Sequence, residues 1–233
     1  MGSLAIMQPY FFPYLGYWQL IKAVDKFVVY NDVNYITRGW VNRNRILVNG
    51  QAHYITVPLK HASQNRLICE IELDTTSAWR EKLLKTISLS YRKSPHFLDV
   101  FPVIEGLIRQ PATTLSEYLG FQLRTLAGHM GITTTFGASE QYGNRDISGT
   151  DRILNICKLE GALTYVNAPG GRQLYDPAVF SGHGIKLRFL NTRPLAYAQR
   201  AEAFTPHLSI IDLLMENGFS KVSAYLDEFD LLA

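Results

Sequence analysis

Cysteine is nearly missing from this sequence: Cys69 and Cys157 are the only two among 233 residues, and neither stands in a CxxC pair. That excludes a disulfide framework and a cysteine-based metal site, and it fits a reducing compartment. Long apolar runs are missing as well. No stretch approaches the roughly 20 residues that a membrane-spanning helix needs, and the first residues carry no basic stretch leading into a signal-type segment. Position 6 is Ile where a myristoylation signal wants Ser or Thr, so no lipid anchor is expected. A cytoplasmic protein without membrane insertion follows as the expectation. The six histidines, at 53, 61, 96, 129, 183 and 207, show neither HxxxH nor HxH spacing, and no metal site is expected. A serine-hydrolase elbow is ruled out because GxSxG is absent. Charge of one sign is scarce: the net charge of +3 suits an anionic ligand but is too mild for bulk nucleic-acid binding.

What is present fits one sizeable core, since 47% of the chain is hydrophobic and no repeat, low-complexity tract or linker divides it. Residues 1–233 therefore read as a single α/β domain. "SLAIM" is a buried first strand that stops at Gln8-Pro9, and Tyr17, Leu20, Ile21 and Val24 recur at helical spacing before a second buried strand in "KFVVYNDV". Such a βαβ opening puts the loop after the first strand at the carboxyl edge of a parallel sheet, where open α/β folds bind ligands. Residues 33–75 read as a hairpin insertion turning at Asn49-Gly50, with "LICEIEL" as a third strand added to it. Residues 77–131 read as a helical segment whose last helix starts at the capping-box pair Thr114 and Glu117. Alternation then resumes with strands in "TTTFGAS", "LTYVNAP" and "IKLRFL", a helix in "SGTDRILNICKLEG" and a last helix in "LSIIDLLMENG" closed by Gly218.

Four stretches carry candidate chemistry. In "MQPYFFPYLGYWQLI" aromatic rings and two prolines crowd the first strand end, a rigid surface where Gln8, Pro9 and Tyr10 are either binding residues or an aromatic lid. Its "PYLGY" portion sits where nucleotidylyltransferase-type proteins carry His-x-Gly-His. Tyr14 and Tyr17 replace both histidines, and Gly16 allows close backbone approach. In "TRGWVNRNR", Arg38, Asn42, Arg43, Asn44 and Arg45 gather around Trp40, a composition suited to an anion beside a stacking ring or to a solvated basic hairpin. Asp32, at the end of the second strand, is a candidate general base, ribose contact or turn former. "VNAPGGRQLYD" places Asn167, Gly170, Gly171 and Tyr175 just after a strand, as a ligand cradle or a plain turn. "ISGTDRIL" is similar to an ISSTxxR phosphate element, with Ser148, Thr150 and Arg152 as contacts. Ser148 and Asp151 also have capping-box spacing, and the cap outweighs the contact.

Taken together, the leading aromatic segment, "FVVYNDVNYITRGWVNRNRIL", "ITVPLK", "YVNAPGGRQLY" and "LSIIDLLMENG" resemble the WbqC-like family nearly end to end, with Asn31 and Thr37 as departures from its pattern. The resemblance implies a Rossmann-like, nucleotidylyltransferase-like, mostly parallel sheet, and a transferase of bacterial surface-glycan work such as O-antigen or lipopolysaccharide synthesis. Combined with a βαβ mouth of arginines, asparagines and tyrosines, that implied work on activated sugars leads us to expect a nucleotide-linked amino sugar as substrate. By analogy with some His-x-Gly-His enzymes, a small acyl or amino-acid (for example glycyl) donor is expected. Arg38 and Arg43 are then expected on the diphosphate, Asp32 as base, and ATP with Mg as cofactor if the route runs through an acyl adenylate. A non-catalytic sugar-nucleotide binding partner of a glycan enzyme is the rival reading, and nucleic-acid binding is the least favoured.

Overall fold

Alternation of side chains along short buried strands decides the architecture. The computed structural model describes residues 2–76 and 78–233, so Ser77, the first residue of the expected helical segment, lies outside the described residues. The chain opens with β1 (Ser3–Met7), α1 (Leu15–Lys22) and β2 (Lys26–Val29), with β1 and β2 parallel and Leu4 in register with Lys26. The antiparallel hairpin β3 (Arg43–Val48) and β4 (Gln51–Thr56) follows. It turns at Asn49 (φ 52°) and Gly50 (φ 77°), the paired positive φ values that favour Asn-Gly in two-residue turns.

"LICEIEL" departs from its expected place as a third hairpin strand. Ile68 N donates to Val33 O at 3.0 Å and Cys69 N to Asn31 O at 2.8 Å, so these donors serve the segment after β2 and the chain makes a 3₁₀ turn. Only β6 (Glu72–Leu73) is extended, and it pairs with β5 (Leu59–Lys60) in a separate ribbon. Three helices occupy the middle of the chain: α2 (Trp79–Tyr91), α3 (Phe97–Arg109) and α4 (Leu115–His129). The Thr114 and Glu117 capping box opens α4.

The second half adds β7 (Thr135–Ala138), α5 (Gly149–Leu159), β8 (Thr164–Asn167), α6 (Pro177–Gly182), β9 (Lys186–Thr192), α7 (Ile210–Tyr225) and β10 (Phe229–Leu232). Gly218, at φ 73° and ψ 166°, ends the first helical stretch of α7 as expected, and a second stretch resumes beyond it; a Cβ there would lie 2.7 Å from His96 Nδ1. Ser148 stands at the start of α5, but its side chain makes no capping bond.

The six-stranded sheet runs β10-β9-β8-β1-β2-β7, parallel throughout except for β10, which lies antiparallel on β9. This is a mixed α/β fold around a mostly parallel sheet. Alternate residues enter opposite cores: Ala5, Phe27, Val29 and Val166 join α1 to α4 and α7, while Leu4, Ile6, Val28 and Tyr165 join α5 and α6. The chain builds outward from β1 to β7 and then returns to place β8 on the other side of β1. The order therefore reverses between β1 and β8, and a crevice opens outside their carboxyl ends. Among the described residues no helix is long and apolar enough to cross a membrane.

Candidate functional site

At the carboxyl end of β1 the chain turns sharply through Pro9 and Pro13, and the reason for so rigid a segment lies in what holds it. Phe11 and Phe12 are fully buried beneath it. The Asn44 amide donates to Phe11 O at 3.0 Å and to Phe12 O at 2.8 Å, and the Ser209 hydroxyl donates to Phe12 O at 2.8 Å. Phe12 N donates to Gln122 Oε1 at 2.8 Å, while Trp18 Nε1 and Ile210 N both donate to Pro13 O. The hairpin, α4, α1 and α7 thus fasten one short segment, and Phe12 is held at φ 41°. Its aromatic residues do two jobs: the phenylalanines are core, and the tyrosines face a cavity.

That cavity, of about 650 Å³, sits over the ends of β1, β8 and β9. Ten of the residues singled out from the sequence line it: Gln8, Tyr10, Tyr14, Gly16, Tyr17, Trp40, Asn167, Gly170, Gly171 and Tyr175. Tyr30, Asn191, Thr192 and His207 also line it, and sequence reasoning missed them. Tyr30 stands one residue past β2, and Asn191 and Thr192 end β9, so strand-end position was a usable signal for all three. His207 carried none, because it arrives on the irregular connection to α7. Gly16 is required by crowding: a Cβ there would lie 2.8 Å from Thr192 Oγ1 and equally close to the Tyr14 ring.

The walls are largely apolar, with phenol, amide and hydroxyl groups set among them. No Asp, Glu, Lys or Arg lines the cavity among the described residues. Burial raises the pKa of Tyr10, Tyr14, Tyr30 and Tyr175, and burial with the neighbouring Tyr10 raises that of Tyr17 furthest, so these phenols stay protonated donors. Tyr17 already donates to Gln8 O at 2.8 Å, and the Tyr14 ring meets His207 edge-on at 5.6 Å.

Seven predicted site residues lie outside these walls. Asp32 is the clearest redirection: its side chain is fully buried, bound by Arg152 Nη2 at 2.6 Å and Arg145 Nε at 3.1 Å, and it accepts the Ser139 hydroxyl. Burial works to raise its pKa, but the hydrogen bonds from Ser139, Arg152 and Arg145 outweigh it and hold the carboxyl below its ordinary value. A carboxylate so saturated is a poor proton acceptor. Arg152, also buried, donates to Asn144 Oδ1 at 3.0 Å and lies under the Tyr30 ring, so the pair braces the wall from behind. Ser148 is exposed at the start of α5.

The basic cluster likewise turns its polarity inward. Arg43 Nε donates to Gly39 O at 3.1 Å, its Nη2 donates to Arg38 O, and its guanidinium covers Tyr54. Asn42 accepts from the Tyr35 hydroxyl at 2.7 Å and donates to Val57 O at 2.9 Å, latching the hairpin. Arg38 is exposed at φ 59°, and neither it nor Pro9 lines the cavity. Trp40 alone reaches the cavity wall from this cluster. Arg45 stacks on it at 5.7 Å with a buried Nε that has no hydrogen-bond partner.

A family model described as the WbqC-like protein family matches residues 8–224. The uncharacterised protein Rv1507c of Mycobacterium tuberculosis is 30% identical over 221 residues, which span 94% of this chain and 95% of that one. No solved structure matches the chain.

Proposed function

Because the chain belongs to the WbqC-like protein family, we propose that its cavity binds a nucleotide-linked amino sugar of bacterial surface-glycan synthesis and that the protein acylates the sugar amine. One observation carries the reading: segments 8–17, Trp40 and 167–175, far apart in sequence, line one cavity over the ends of β1, β8 and β9. The sheet order, 3-2-1-4-5-6 when its strands are renumbered, supports a Rossmann-like assignment, in which ligands occupy the crevice where the order reverses. The amino terminus of α1, with Gly16 in its first turn, faces the cavity and favours phosphate there. None of Arg38, Arg43 and Arg45 lines the cavity, so we assign no guanidinium to that anion.

In the acyl step the amine nitrogen attacks the carbonyl carbon of an activated acyl donor. The N–C bond forms and the bond to the leaving group breaks. His207, the one imidazole on the wall among the described residues, takes the ammonium proton and returns it to the leaving group. The protonated Tyr14 phenol beside it is placed to donate to the carbonyl oxygen as charge develops. An adenylating route fits these residues poorly. Both histidine positions of the His-x-Gly-His pattern hold tyrosines, and among the described residues the walls carry no carboxylate to share Mg with a triphosphate and no lysine or arginine to face it. We route no step through ATP.

The neutral, phenol-lined wall also favours the second reading, a non-catalytic sugar-nucleotide binder. A thermal-shift screen against UDP-, dTDP- and CMP-linked sugars tests the binding common to both. A ligand at about 100 times its Kd adds roughly 2.7 kcal/mol of stability, and no shift with any of them removes the proposal. With a hit in hand, His207→Ala is expected to keep affinity and abolish amide formation. If the wild type forms no amide with any activated acyl donor, the binder reading stands instead.

A further inference from the structure

A second hollow, of about 520 Å³, adjoins the first, and the two share Tyr14, Gly16, Thr192 and His207 in their walls. Beyond that border the character of the lining changes: Leu195, Ala196, Phe204, Pro206, Leu208 and Leu213 supply most of it. The connection from β9 to α7 that forms the outer wall contains neither helix nor strand, yet it is pinned in several places. The Tyr197 hydroxyl donates to Asp212 Oδ2 at 2.7 Å. Thr205 N donates to Gln199 Oε1 at 2.7 Å, and Gln199 Nε2 returns a bond to Thr205 O at 2.9 Å. The one charged side chain in the lining, Arg193, is already paired with Asp230 at 2.7 Å and with Glu228 at 3.3 Å. The hollow is therefore held open by its own wall, apolar, and without a free charge among the described residues.

We infer that this hollow seats an aliphatic acyl chain, the group that the reaction proposed above places on the sugar amine, with His207 and Tyr14 standing at the junction where the two parts of the ligand join. The inference rests on that reading for what happens to the chain, and on the shared wall for where the chain lies. A glycyl or other amino-acid group fits less well, because its ammonium would exchange water for mostly apolar walls and a paired arginine. A hydrocarbon loses nothing there and enters a wall already ordered, so little conformational entropy is lost on binding.

The test uses straight-chain carboxylates, acetate through decanoate, titrated calorimetrically into the full chain. Each added methylene is expected to tighten binding by about fourfold until the hollow is filled. Ala196→Trp should flatten the series by occupying the space. Phe204→Asp, at an exposed position where folding is less at risk, should weaken the long chains while leaving acetate unchanged. A flat series in the wild type overturns the inference. So does a steep series that neither variant alters, or tighter binding of phenylacetate than of octanoate. The nucleotide-sugar screen is read separately: silence there with a steep, variant-sensitive series removes the proposed substrate and leaves the chain site standing.

Discussion

Arg152 and Asp32 form the charged pair behind the Tyr30 wall, and their chemistry is one of position. With its carboxyl held below its ordinary value, folded Asp32 binds a proton more weakly than the unfolded chain does. The stability it contributes is fully present above the unfolded value of about 4 and is lost as pH falls through the lower folded value. Asp212 works in the opposite sense. Burial raises its pKa against the hydrogen bonds from Tyr197 and Tyr91, so it adds stability as pH falls through its raised value. Asp32→Asn should therefore cost about 3–5 kcal/mol near neutrality, because Arg152 keeps a buried charge without its partner. It should also flatten the acid limb of stability measured by urea unfolding between about pH 3 and 7. An unchanged acid limb would show that Asp32 is not the group lost there. None of these partnerships was readable in the sequence, since Asp32 meets Ser139, Arg145 and Arg152 only through the pairing of β2 with β7 and the packing of α5.

Elements that follow from short-range rules were the legible ones. Thr114 Oγ1 accepts from Glu117 N at 3.3 Å while Glu117 Oε2 accepts from Thr114 N at 3.4 Å, a reciprocal arrangement that four residues dictate. The Asn49-Gly50 turn is equally local. "LICEIEL" was not, because its donors answer to carbonyls more than thirty residues earlier. Gly218 was legible as the end of a helical stretch, while the second stretch that resumes beyond it was not, and His96 leaves no room for a side chain at the break. Since its φ and ψ fall where almost only glycine is found, Gly218→Ala should cost about 2 kcal/mol or more, a fall in Tm of about 4–8 °C for a chain of this size. A calorimetric Tm within 1 °C of wild type, on a scale of about 2–4 °C per kcal/mol, would mean that α7 straightens without penalty.

For the whole molecule, the candidate site was legible as three segments and illegible as a surface. Strand-end position singled out the leading loop and the paired glycines, and both lie in the wall of one cavity. The arginines drew attention by composition, but composition cannot tell a guanidinium aimed at a ligand from one closing its own turn, as Arg43 does on Gly39 and Arg38. Asn44 stands outside the cavity and still governs it through Phe11 O and Phe12 O. Asn44→Ala should cost about 1–3 kcal/mol by leaving the buried Phe11 O unpaired and Phe12 O with only the Ser209 hydroxyl, and it should weaken ligand binding although no wall residue is changed. Unaltered affinity in a folded Asn44→Ala protein would separate the strap from the site.

The fastening of the leading loop by Ser209 and Ile210 also sets a schedule. On the ribosome, residues 8–17 emerge well before residues 209 and 210 and must wait, with their rings uncovered, until the start of α7 has been synthesised and can close over them. The cavity wall is then closed only after the start of α7 is made, although its leading segment is made long before.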